Sequence, residues 1–384
     1  MFLKHLNILY FKNIEERQFD FAKKIVAFVG LNGVGKTNIL DAIYYLAMTK
    51  SYFSSSDVQN IQQGKEFFVL QGKFEKNGQW LDVNCSVKRS EGKNVSFNQK
   101  AYTRISEHIG KIPIVFIAPQ DSFLITDYAD TRRKFLDALI SKFDRDYLNA
   151  LIQYYHALQN RNNIIKQGEV AYQQQDLIDV YNSQMAQTGE LILNKRRQFF
   201  DEIKDVLKTT YSQLQDNQEN LELVYTSTIQ KDFFKELQHS LPKDIRMGYT
   251  TIGVHRDDFD ILLNQYPAKN FASQGQQKTI IFAIKWVELF YLYSKTNIHP
   301  ILLIDDIYDR LDEKRLSRMK TFLMNDIVGQ VFVTDNHPKR IQDLFADVDI
   351  EIIELFSGLK NSNFSSSTYA GRDGKMGIGS KNTP

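Results

Sequence analysis

Cysteine is almost absent from this chain: Cys85 is the only one in 384 residues. One thiol excludes an intramolecular disulfide and a cysteine-based zinc site, and it suits a reducing cytosol. Its setting in an alternating stretch reads as a small buried residue on a strand. Proline is scarce too, and none falls between Pro119 and Pro242, where Gly168 and Gly189 are the only glycines. A stretch with so few breakers reads as helix. Net charge is low, +2 at pH 7, so it neither demands nor excludes nucleic acid, and a DNA surface would need local clusters of basic residues. Long apolar runs are missing as well. Charge interrupts MFLKHLNILYFKN before a secretion leader could form. The most apolar helical stretch, residues 279–293, carries Lys285 and Glu288 and is too short to span a bilayer. These absences predict a soluble, cytoplasmic protein with no membrane segment.

What is present suits a globular α/β protein. Hydrophobic residues make up 42% and charged residues 24%, ample for a core, and the length allows two domains or one with a large insertion. Residues 1–120 read as strand-rich. HLNILYF and RQFDFA flank Lys12-Asn13-Ile14 as a hairpin would, and Asn77-Gly78 marks a second hairpin. Lys93 to Tyr102 adds a further strand, and IPIVFIAP (112–119) reads as a buried central one. Residues 121–244 read as an inserted helical lobe, with Tyr147, Leu151, Tyr154 and Leu158, then Phe199, Phe200, Ile203 and Leu207, at helical spacing. No sustained heptad run appears, which predicts a compact bundle. LELVYTS (221–227) returns the chain to a sheet. The α/β pattern resumes over 245–357, and the polar segment 358–384 reads as a disordered tail.

The chemistry begins at VAFVGLNGVGKTNILD, residues 26–41. A buried strand leads into Gly30, Leu31, Asn32, Gly33, Val34, Gly35, Lys36 and Thr37, which fit G-x-x-x-x-G-K-[ST], and Asn38 opens an amphipathic helix. Glycines permit the backbone angles, and successive N–H groups plus the helix N-terminus face a polyphosphate. Lys36 would reach the β/γ-phosphates and Thr37 would place its hydroxyl on Mg²⁺. Ile301-Leu302-Leu303-Ile304-Asp305-Asp306 supplies the matching strand that ends in acids. Asp305 would hold Mg²⁺ through its water shell, and Asp306 would polarise the attacking water. Ser273-Gln274-Gly275-Gln276-Gln277-Lys278 opens another helix with free N–H groups. Because the P-loop covers the phosphates from one side, this second anion site has its use on the ATP of a second subunit.

The order P-loop, helical insert, S-Q-G-Q-Q-K, then L-L-I-D-D followed by Leu311-Asp312 resembles the ABC-type ATPases of DNA repair, and within them the RecF family. Three more segments carry the resemblance: Gly253-Val254-His255-Arg256-Asp257-Asp258, with valine in the family's proline place; Ala118-Pro119-Gln120-Asp121; and Arg132-Arg133-Lys134-Phe135-Leu136-Asp137. It covers residue 1 to about 357. The resemblance implies an ABC-type head with a mixed sheet and an inserted, mostly helical lobe. It implies an ATP-driven homodimer, in which Ser273 to Gln277 of one copy close over the ATP of the other and Leu311-Asp312 form the crossing D-loop. Gln120 would reach Mg²⁺ or water in the manner of a Q-loop. Thr334 and Asp335 sit where such proteins keep a γ-phosphate switch, while His337 reads as a loop histidine. Lys12 lies where related heads place a basic residue near the nucleotide, and it reads equally as a surface lysine of the hairpin. The implied function is slow, DNA-stimulated ATP hydrolysis in DNA repair, replication and the SOS response. The partners implied are duplex and gapped DNA and the RecR and RecO mediators, with recombinase loading as the outcome.

Arg132, Arg133, Lys195, Arg196 and Arg197 form two basic clusters in the helical lobe and are the candidate DNA contacts, through phosphates rather than bases. An SMC-like structural ATPase would need hundreds of heptad residues in the insert. The ATPase part of a nuclease defence system would need a further acidic metal-binding domain. Neither is visible in the sequence.

Overall fold

The computed structural model describes residues 1–215, 219–307, 313–356 and, for the backbone, 367–369. The chain divides into two compact units: residues 1–105 with 301–308 and the segment after 328, and residues 106–300 with 309–327.

The first unit holds two sheets. In one, the hairpin strands Phe2–Phe11 and Ile14–Asp20 pair through Phe11 and Ile14. The first of these also pairs with Phe67–Lys76, and the sheet continues through Gln79–Lys88, Gly92–Phe97 and Lys100–Ala101, all antiparallel. Asn77 and Gly78 both have positive φ, 50° and 76°, the geometry an Asn-Gly hairpin turn requires. Cys85 is buried on this sheet as expected, and burial pushes its thiol up to about 12.

The second sheet of this unit is mixed, with a parallel core. Ile25–Val29 lies between Val331–Asp335 and Ile350–Glu354, and Ile301–Ile304 pairs on the far side of Val331–Asp335. Every residue of Ile25–Val29, Ile301–Ile304 and Val331–Asp335 is buried, and all but Thr334 and Asp335 are apolar, as in strands covered on both faces. The helix Lys36–Met48 packs on the antiparallel sheet with Ile39, Leu40, Ile43, Leu46 and Ala47 buried. Ser367–Tyr369, within the segment expected to be a disordered tail, pairs antiparallel with Ile350–Glu354. The rest of that tail lies outside the described residues.

The second unit is mostly helical. Arg145–Ile165 and the forty-residue helix Gln175–Leu214 pack along each other; at 1.5 Å per residue the longer one spans about 60 Å. Asp258–Leu263 sits between Leu221–Thr226 and Tyr266–Pro267 in a small antiparallel sheet. Residues 245–300 belong to this unit rather than to the α/β unit in which they were expected. The reason is packing: the helix Gln274–Thr296 is buried against Gln175–Leu214 and the strand Ile114–Ile117.

The unit is fastened by buried charge. Arg196, fully buried, donates to Asp137 at 2.7 Å, to Asp257 at 2.9 Å, to the Val254 carbonyl at 2.8 Å and to the Tyr147 hydroxyl at 3.0 Å. The Val254 turn, where proline was the family residue, is thus held from outside by an arginine. Tyr225 and Ser227 also donate to Asp257. Arg161, equally buried, bonds Asp244, Asn182 and Thr250.

Removing one partner from such a network leaves a buried charge uncompensated. Arg196→Met is therefore expected to destabilise the protein by about 3–5 kcal/mol. Urea unfolding followed by circular dichroism checks this, with a shift below about 1 kcal/mol contradicting it.

Candidate active site

The first unit brings the P-loop and the acidic strand end together. Gly30 has φ 150°, and a Cβ there would stand 2.4 Å from the Leu355 carbonyl oxygen, so only glycine lets the loop leave its strand at this point. The loop is clamped from the first hairpin. The Asn13 side chain donates to the Gly33 carbonyl at 2.9 Å and accepts from the Asn38 side chain at 2.7 Å. Leu31 is 75% exposed, and Asn32 and Gly33 are open to solvent beside it.

Lys36 is the first residue of the helix, and its ammonium donates to the carbonyls of Gly30 at 2.7 Å and Leu31 at 2.9 Å and to the Asn336 side chain at 2.9 Å. Burial lowers its pKa, against the raising effect of Asp305, Asp306 and Asp335. Thr37 donates its hydroxyl to both oxygens of Asp305, at 3.0 and 2.9 Å, and the Thr334 hydroxyl donates to Asp305 at 2.7 Å. Thr334 also accepts the backbone N–H of Asp306 at 2.8 Å. Asp306 itself adopts a left-handed φ of 54°, a conformation uncommon outside glycine and tolerated by aspartate, and one that concentrates at functional positions. A hydroxyl and a carboxylate held together at the mouth of a phosphate loop match the ligand set expected for Mg²⁺ in P-loop enzymes.

Asp335, 1% exposed, accepts the backbone N–H of His337 at 2.7 Å, and its other oxygen is buried with no hydrogen-bond partner among the described residues. His337 is exposed at the start of the helix Pro338–Leu344, as a loop histidine would be. The side chain that reaches the P-loop lysine from this strand end is Asn336. Sequence reading missed both Asn13 and Asn336, and a side chain directly following the Thr334-Asp335 pair was the available signal for the second.

Lys12 is half-buried rather than an exposed hairpin lysine. Its ammonium pairs with the buried Asp41 at 2.6 Å and lies over the Phe53 ring. Asp41 also accepts from Ser51 at 2.6 Å and from the Tyr52 backbone at 2.7 Å.

Gln120 and residues 273–277 belong to the second unit. Gln120 lies in the short turn Pro119–Ser122. Ser273 caps its helix, accepting from the Gln276 backbone at 3.3 Å, while the Gln276 side chain accepts from the Ser273 N–H at 2.8 Å and donates to Glu219 at 2.8 Å. Gln277 donates back to the Ala272 carbonyl at 3.1 Å. The Arg315 guanidinium lies against Gly275, 2.3 Å from where a Cβ would stand. Leu311 and Asp312 lie outside the described residues.

The basic clusters require correction. Arg196 is fully buried and cannot touch DNA. Arg132 makes a two-pronged pair with Asp258 at 2.7 and 2.8 Å, and Arg133 donates to the Asp257 carbonyl at 2.8 Å. Lys195 pairs with Asp144 at 2.7 Å, and Arg197 is the exposed arginine of its run. Inward-facing carboxylates drew these arginines into the fold.

The RecF/RecN/SMC N-terminal domain model matches residues 2–347. A DNA replication and repair protein RecF from Flavobacterium johnsoniae is 40% identical over 89% of this chain and 96% of its own length. The chain belongs to the RecF family. A RecF from Bacteroides fragilis is 38% identical over 94% of this chain and 98% of its own length. The solved structure of the recombination mediator protein RecF-ATP in the RecFOR pathway superposes with a TM-score of 0.83 at 26% identity, covering 96% of this chain and 97% of that one. A Pyrococcus furiosus Smc head domain shares the fold at 15% identity, with a TM-score of 0.55 and 96% of each chain covered. The RecF fold here is thus an α/β ABC-type head with a largely helical lobe. No helix among the described residues is long and apolar enough to cross a membrane.

Burial raises the pKa of Asp305 despite the Thr334 and Thr37 hydroxyls and Lys36. A carboxyl that binds its proton more tightly when folded costs stability as pH rises from its ordinary value of 3.8 through the raised one, and the cost is fully present above it. The thermal midpoint of the nucleotide-free protein should therefore fall through that window relative to Asp305→Asn. Parallel pH profiles of the two proteins would contradict this reading.

Proposed function

We propose that this RecF-family chain is an ATP-dependent recombination mediator whose nucleotide works as a switch. The observation that carries the reading is the Lys36, Thr37 and Asp305 constellation, in which one cation, one hydroxyl and one carboxylate converge at the mouth of the loop. The loop carbonyls and Asn336 that hold the Lys36 ammonium are neutral acceptors, and a triphosphate would replace them with charged ones, a stronger hydrogen bond in a partly buried setting. Thr37 and Asp305 would hold Mg²⁺, which supplies charge neutralisation across the β- and γ-phosphates. Asp306 takes the role of orienting and polarising the attacking water, its position set by the Thr334 hydroxyl on its own N–H. Asn336 is the switch residue that exchanges Lys36 for the terminal phosphate.

The second half of the site comes from a second copy, through Ser273, Gln274, Gly275, Gln276 and Gln277, with Gln120 reaching Mg²⁺ or the water. Two such sites close a symmetric dimer. ATP binds the closed state preferentially, and the closed dimer clamps DNA near a single-strand/double-strand junction. Slow, DNA-stimulated hydrolysis releases it. The RecFOR context of the related structures supports RecR and RecO as partners in loading recombinase onto gapped DNA.

Sedimentation with gapped DNA and ATP tests the proposal. Wild type is expected to dimerise with ATP, Lys36→Ala to stay monomeric, and Asp306→Asn to persist as a DNA-bound dimer with hydrolysis lowered by about 100-fold or more. A wild type that remains monomeric at micromolar concentration with ATP and DNA ends this reading.

A further inference from the structure

Four ionisable side chains in the second unit are buried together and lie outside the mechanism above. Lys285 and Glu288 project from the helix Gln274–Thr296, Lys142 follows the helix Ala129–Ser141, and Asp121 sits in the Pro119–Ser122 turn; none exceeds 7% side-chain exposure. Lys142 bonds Glu288 at 2.5 Å and the Ile114 carbonyl at 2.9 Å. The Lys285 ammonium stands between the remaining carboxylate oxygens, 3.5 Å from Glu288 and 3.6 Å from Asp121, and over the Phe135 ring. The Glu288 oxygen that faces Lys285 is the one with no hydrogen-bond partner among the described residues. Two cations and two anions balance, so the cluster is neutral, but its geometry is uneven: Lys142 is tightly bonded and Lys285 is shared.

Asp121 has a second task. Its Oδ2 accepts the Ala118 N–H at 2.8 Å, which closes the turn whose central side chain is Gln120. One carboxylate therefore shapes the Gln120 turn with one oxygen and faces Lys285 with the other. Lys285 lies on the same rigid helix that Ser273 caps, twelve residues on, or about 18 Å at 1.5 Å per residue. A displacement of the helix at its capped end moves Lys285 relative to Asp121. Buried ions respond steeply to such displacement, because water does not screen them.

We propose that Lys285, held between Asp121 and Glu288, is a positioning residue for hydrolysis that links the Ser273 helix to Gln120. When the helix is drawn onto a second copy's nucleotide, the share of Lys285 between its two carboxylates changes, and the Gln120 turn follows. The inference rests on the roles given above to Gln120 and to residues 273–277.

A double-mutant cycle on full-length protein tests it, with steady-state ATP hydrolysis read as kcat and KM. Lys285→Met is expected to lower kcat about tenfold with KM little changed, and Lys285→Arg to restore most of the rate. In the Gln120→Ala background, Lys285→Met should add less than about twofold, because both changes act through one group. Asp121→Asn, which keeps the Lys285–Glu288 pair, should behave like Lys285→Met and serves in its place if that variant does not fold. Losses that multiply across the cycle, or an equal loss with Lys285→Arg, overturn the link while leaving the assignment of Gln120 intact. A Gln120→Ala protein that hydrolyses ATP at the wild-type rate overturns that assignment and the link with it.

Discussion

The Asp305 carboxylate is the point on which the α/β unit turns. Two hydroxyls from different elements, Thr37 at the head of the P-loop helix and Thr334 on the neighbouring strand, converge on it. Thr334 passes the constraint on to the Asp306 backbone. A buried carboxylate without such donors would be costly; with them, its position and that of the acid after it are set before any substrate arrives. The parallel register that places Ile304 beside Val333 and Phe28 beside Thr334 brings these three elements to a common edge. Ligands of open α/β sheets bind there, outside the carboxyl ends of the strands.

Charge is used differently in the helical unit. Three of its arginines point inward, each onto carboxylates far along the chain: Arg132 to Asp258, Arg196 to Asp137 and Asp257, Arg161 to Asp244. The H-R-D-D segment 255–258 is consequently a structural hub. His255 bonds the Tyr154 hydroxyl at 2.7 Å, and burial lowers its pKa to about 4, so it is neutral at physiological pH. Asp257 and Asp258 collect the arginines. A nucleic-acid surface on this unit must use other residues, such as Arg197, because backbone recognition needs cations that reach solvent.

Much of this was legible in the sequence because its signals are local. The phosphate loop, the strand ending in Asp305-Asp306, the Asn77-Gly78 hairpin and the capped helix at Ser273 each lie within a dozen residues, where spacing and turn chemistry speak directly. Contacts between distant residues left no such trace. Asn336 lies 300 positions from Lys36, and Arg132 lies 126 from Asp258. A basic triplet on a helix looks the same whether it faces phosphate or a buried carboxylate. The grouping of 245–300 with the helical unit was likewise invisible, since it depends on which faces of two long helices meet. Lys12 belongs with these cases: its partner Asp41 sits on the apolar side of a helix, where a carboxylate is expected only when paired.

The central claim is that each nucleotide site is completed by a second chain, and mixing two inactive variants tests it most directly. Lys36→Ala lacks a working P-loop and Ser273→Arg a working helix cap, so neither should hydrolyse ATP alone. A mixed dimer joins the intact P-loop of the Ser273→Arg chain to the intact Ser273 helix of the Lys36→Ala chain in one composite site, so mixing equal amounts should restore hydrolysis that neither variant shows alone. A mixture as inactive as its components, or a Ser273→Arg protein that hydrolyses ATP unaided, would contradict the account.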